Sequence, residues 1–202
     1  MQSRLIPSLG LALAAFALLL AGCEGTVQHM RAVPAEAAPA APQPGKALVV
    51  FMRPSGLGFA VQSSVFDLKD SGPPALVGIV AAKAKLAYHV QPGAYQFMVI
   101  GENADFMSAD VVAGRTYYVR VEPRMGMWKA RFGLEPIRQK DLASAEFASA
   151  LGECKWVEKN AESDAWAGAN MVSIMSKRAE YYPDWIKQAE SARPRLLAED
   201  GK

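Results

Sequence analysis

The sequence predicts a mainly β fold with C-terminal α-helices: an antiparallel β-sandwich over residues 46–137, then a helical region over 138–202. Three observations carry this expectation. From Ala47 onward, short apolar runs recur with turn signals roughly every 8–12 residues, as in sandwiches and barrels. Residues 24–45 show no apolar periodicity, and prolines stand at 34, 39, 42 and 44. Beyond residue 138 the apolar spacing changes to the three and four of a helix.

In chain order, residues 1–22 read as a cleaved export signal. Arg4 gives a positive start, and Leu9 to Ala21 is apolar or small throughout. That run of about 13 residues is shorter than the roughly 20 that a bilayer span needs. It closes on "LLLAGC", residues 18–23. Leucine, two small residues and cysteine resemble the lipobox of bacterial lipoproteins. The resemblance implies lipidation of the Cys23 thiol, cleavage before it and membrane attachment without a spanning helix. Glu24 follows, where aspartate would favour retention at the inner membrane, so the pattern points to the outer membrane, facing the periplasm. Residues 23–45 then read as a disordered Pro/Ala-rich tether, because such a composition builds no core.

"ALVVFM" at 47–52 is apolar on both faces and reads as a buried strand, closed by Arg53-Pro54 and a glycine-rich turn, "SGLGF". Strands follow at 60–68, 75–80, 84–90, 94–102, 106–112, 115–122 and 127–134, punctuated by "SGPP" at 71–74 and Pro92-Gly93. The last two read as a hairpin across "PRMG". Pairing Val121 with Trp128 also pairs Val119 with Ala130 and Tyr117 with Phe132, all apolar and on one side. The opposite face carries Tyr118, Arg120, Lys129 and Arg131, with Arg120 opposed to Lys129 in that register. Opposed like charges are unfavourable. Either neighbouring carboxylates solvate this face, or the four residues form an anion-binding patch.

In the C-terminal region, Asp141 to Leu151 reads as a helix stopped by Gly152, and a longer helix is expected from Asn160 to Tyr181, ended by Pro183. Gly168, Met171, Val172, Met175, Ala179 and Tyr182 form one apolar stripe on it. The stripe either packs on the sheet or docks a partner protein, with methionines supplying an adaptable surface.

The net charge of +2 gives no electrostatic basis for nucleic-acid binding. With two cysteines in the chain, lipidation of Cys23 leaves Cys154 without an intramolecular partner; beside Trp156 and Val157 it reads as buried. Gly56 and Gly58 lack the third glycine and the helix of a dinucleotide loop, and neither GxSxG nor HExxH occurs. His29 lies in the tether and His89 on a strand, so no multi-histidine metal site is expected, and no cofactor. Asp67, Asp70, Glu102, Asp105 and Asp110 leave a carboxylate hydrolase as the one enzymatic reading, with no pair singled out.

"ALVVFMRP", "VQPGAYQF" and "AGRTYYVRVE" resemble a family of small β-rich bacterial lipoprotein domains of unknown function and, more loosely, PEGA-type sandwiches, over residues 46–137. The resemblance implies a fold class and an envelope location, and no catalytic residues. The functional expectation is a lipid-anchored, non-enzymatic module that binds or scaffolds an envelope protein or an anionic envelope component. An adaptor subunit of an envelope secretion or transport machine is the alternative.

Overall fold

A computed structural model describes residues 28–39, 41–68, 72–125 and 130–202. Cys23 and Lys129 lie outside the described residues, as does Asp70. Among these residues the fold is mainly β: eleven strands in two sheets, with three α-helices toward the C-terminus. The first sheet has the order β1-β10-β5-β2-β8-β9, and the second, which starts from β11 (Arg195–Leu196), has the order β11-β7-β6-β3-β4.

Strand β2 (Ala47–Arg53) is buried along its whole length, as its two-faced apolar sequence requires. It lies between β5 (Ala84–Val90), antiparallel, and β8 (Thr116–Met125), parallel. Its inward side chains, Ala47, Val49 and Phe51, join the core between the sheets. Its outward ones, Leu48, Val50 and Met52, meet helix α1 (Ala145–Glu153) through Phe147 and Leu151. In the second sheet β3 (Ser63–Asp67) pairs with β4 (Ala75–Val80) and with β6 (Gly93–Ile100), which pairs with β7 (Ala104–Val111). Val65, Phe97, Val99 and Met107 face the shared core, where the Phe51 and Phe97 rings meet edge-on at 5.1 Å. Phe66, Met98 and Phe106 face outward against α2 (Ser163–Ala169) and α3 (Met171–Lys187). The result is four layers: α1, the six-stranded sheet, the five-stranded sheet, and α2 with α3.

The turn after β2 is organised by the fully buried Arg53. Its guanidinium donates to the carbonyls of Leu57, Gly58 and Val61, each at 2.8 Å, and lies 4.5 Å from the centre of the Phe132 ring. Burial pushes Arg53 down to about 10. Gly58 takes a φ of 66°, which glycine adopts without strain.

Five expectations are corrected. Both sheets are mixed rather than antiparallel, because β2–β8, β5–β10 and β7–β11 run parallel. The hairpin of β8 with β9 (Ala130–Pro136) exists, but Val121 pairs with Leu134 and Val119 with Pro136. The strand continues through Pro123, because the β2–β8 ladder ends at Met52 and Arg120 and, among the described residues, leaves that edge with no β2 partner to demand an N–H. Residues 28–39 of the expected tether belong to the fold. There β1 (Met30–Ala32) pairs with β10 (Lys155–Lys159), and Met30 is buried against Gly78. Asn170 divides the expected long helix into α2 and α3. Pro183 lies inside α3, whose last turns are held by Tyr182 and Trp185 stacked at 5.8 Å and both against Phe106.

Candidate functional site

The outer face of the six-stranded sheet is where sequence and geometry concentrate polar chemistry. Strand alternation turns Lys85, then Leu48, Val50 and Met52, then Thr116, Tyr118 and Arg120 toward this face; the registers Lys85–Met52, Val50–Tyr118 and Leu48–Thr116 place them in adjacent rows. Helix α1 lies over the rows, started by the Ser144 hydroxyl, which accepts from the Phe147 amide at 3.1 Å. Phe147 meets the Tyr118 ring edge-on at 4.9 Å. A cavity lies on each side of this aromatic pair.

The first cavity, about 370 Å³, is lined by Arg120, Glu135, Asp141, Ser144 and Glu146. Arg120 stands opposite Glu135, not Lys129, and lies 3.6 Å from a Glu146 oxygen. The neighbouring carboxylates expected as one answer to the charge of Arg120 are therefore present, and they make this cavity net acidic. The opposed like charges are Arg124 and Arg131 instead. Arg124 is neutralised by Glu135 at 3.4 Å and by Asp105 at 3.9 Å. Of the four patch residues, Tyr118 is buried, Arg120 is half-buried, Arg131 is exposed and Lys129 is outside the described residues.

The second cavity, about 270 Å³, lies under the N-terminal strap, whose Ala35, Ala38 and Pro39 form one wall. Leu48, Val50, Leu151 and Trp156 supply further apolar lining, and Lys85, Thr116 and Tyr118 the polar groups. Lys85 is 8% exposed. Its ammonium donates to the Leu151 carbonyl at 2.6 Å and sits 4.8 Å from the Trp156 ring centre. Burial lowers its pKa, an effect partly offset by Cys154. Lys85, Trp156 and Thr116 were not singled out from the sequence. A lysine in an alternating strand reads as solvent-facing, and the carbonyl it meets is 66 residues away.

Cys154 borders this face, buried as its neighbours suggested, and burial pushes its thiol up to about 11. It is therefore a thiol, not a thiolate, at neutral pH. His89 accepts from the Gln43 amide at 3.4 Å. The carboxylates of the hydrolase reading are scattered: Asp67 accepts from the Tyr88 hydroxyl at 2.9 Å, and Asp110 holds Arg195 at 2.8 Å. Among the described residues no group of three or more His, Cys, Asp or Glu is placed to hold a metal ion.

The apolar stripe on α3 splits. Met171 and Tyr182 pack toward the second sheet with Ile174 and Trp185, while Val172 is 87% and Met175 39% exposed and Ala179 is exposed. Ile186, 46% exposed, continues the outward row. No helix among the described residues is long and apolar enough to cross a membrane. No family model matches this chain, and no curated protein matches it.

Proposed function

We propose that the protein is a lipid-anchored module of the bacterial cell envelope, attached through Cys23 at the periplasmic side of the outer membrane. In this reading it binds or scaffolds another envelope component without catalysing a reaction. The observation that carries it is the path of the N-terminal chain. Met30 is buried and β1 is stitched to β10, so seven chain steps, at most about 25 Å, separate Cys23 from the folded body. An acyl group on Cys23 holds the body against the membrane surface rather than on a long spacer. The resemblance of residues 46–137 to β-rich lipoprotein and PEGA-like sandwich domains belongs to the same proposal. So does the absence of a catalytic role, which the scattered carboxylates and the un-ionised Cys154 support.

Metabolic labelling with a tagged fatty acid tests the anchor. Label and membrane sedimentation are expected in the wild type and absent from Cys23→Ala; equal labelling of the variant overturns the proposal.

An adaptor subunit of a secretion or transport machine is the second reading, favoured by the outward row of Val172, Met175, Ala179 and Ile186. A photo-crosslinking residue at position 172 should capture one discrete envelope protein, and capture at the same level from position 36 on the strap defeats this reading.

A further inference from the structure

We propose that the cavity beneath the N-terminal strap is a binding site for a small amphiphilic anion, whose carboxylate or phosphate head meets Lys85 and whose apolar part lies against Leu48, Val50 and Trp156. Three features of the cavity carry this.

The first is charge. Lys85 is the one charged residue in the described lining. Its ammonium has three N–H groups, and the Leu151 carbonyl takes one; no carboxylate partner for it exists among the described residues. A buried charge without a counter-ion is costly, and an anion is the group that offsets that cost. The second is hydrogen-bonding capacity. The hydroxyl-bearing side chains of Thr116 and Tyr118 also line the space. Together with the ammonium they can donate to several oxygens of one head group. The third is shape. The strap wall consists of Ala35, Ala38 and Pro39, side chains too small to fill the space they cover. At about 270 Å³ the cavity sits at the lower edge of the usual range for ligand pockets, roughly 300–1,000 Å³, which suits a head group with a short chain segment.

Lys85 also caps the last turn of α1 through Leu151, a structural role that needs one N–H and no cavity. The two roles make different predictions. The site is also independent of the anchor: it uses no residue before Ala35, so Cys23→Ala leaves it intact whatever becomes of lipidation.

The test is calorimetric titration of the purified chain with octanoate, octyl phosphate and 1-octanol. Both anions are expected to bind, at least one of them about ten-fold or more tighter than the alcohol. Preference for octanoate points to free fatty acids, and preference for octyl phosphate to phospholipid head groups. Lys85→Met should reduce anion affinity to that of octanol, while Lys85→Arg retains it. Ala38→Leu, which fills the space from the strap without touching β5, should abolish binding of all three and is read whether or not Lys85→Met folds. Octanol binding as tightly as both anions, anion affinity unchanged in a folded Lys85→Met or in Ala38→Leu, or no binding of either anion at millimolar concentration would each overturn the site.

Discussion

Helix α3 covers the five-stranded sheet with aromatic rings; on the six-stranded sheet the strap lays alanine and proline over the Lys85 ammonium of β5, beside α1. On the first face Trp185, Tyr182 and Phe106 stack and interdigitate within 6 Å. On the second, Phe147 and Tyr118 form an isolated pair between two cavities. Large rings leave no room and fix a surface permanently. Small residues over polar groups leave volume that another molecule can use. The contrast assigns stability chiefly to one outer face and recognition to the other.

The largest effect that separates the faces is expected from Trp185→Ala, which removes a buried ring from the α3 side and should cost about 4 kcal/mol in urea unfolding. Its affinity for octanoate should stay that of the wild type; a loss of affinity in the folded variant would show that the faces are coupled. Phe147→Ala should cost somewhat less, about 3 kcal/mol, because α1 has nine residues and Phe147 is its one buried side chain. Unlike the Trp185 change, it opens the wall between the two cavities and should alter anion affinity as well.

The alkaline limb of stability comes next. Cys154, raised from 9.0 to about 11, stays protonated in the folded chain while the unfolded chain ionises. Its contribution is complete below pH 9 and is lost as pH rises to about 11, an effect below about 3 kcal/mol. Tyr88, pushed up by burial and then by Asp67, acts in the same direction at higher pH. Cys154→Ala should flatten the part of the limb nearest pH 9, measured by thermal melts across pH. The smallest effect is expected at Val172, whose replacement by serine should change stability by less than about 0.5 kcal/mol, because it touches little. A larger loss would mean that the α3 outer row is packed and unavailable to a partner.

How much of this was legible follows from what each segment offers on its own. β2 was legible because a strand buried on both faces has no other way to be written than "ALVVFM". The two faces of the hairpin were legible, but its register was not. Pro123 reads as a turn unless one knows that β2 stops before reaching it. β1, β10 and β11 are two to five residues long, and β10 reads "KWVEK". Their assignment rests on distant partners, which a local pattern does not contain. On α3 the periodicity identified an apolar stripe but not its phase, since Ile174 lies inside and Val172, two residues earlier, lies outside. At the site, Tyr118 was visible as one of a polar row, whereas Lys85 acquires meaning from Leu151, Trp156 and the strap.

The stitching of β1 also sets an order of events in time. The His29 carbonyl accepts from the Ser163 hydroxyl across 134 residues of chain, and Met30 pairs with Lys159. Contacts of such separation form late, because the intervening loop must close first. A chain emerging N-terminus first therefore keeps its earliest strand unpaired until position 159 has appeared. During that interval the strap cannot yet roof its cavity. Closing β1 onto β10 is therefore a late step of assembly, and it is the step that sets the pocket wall in place.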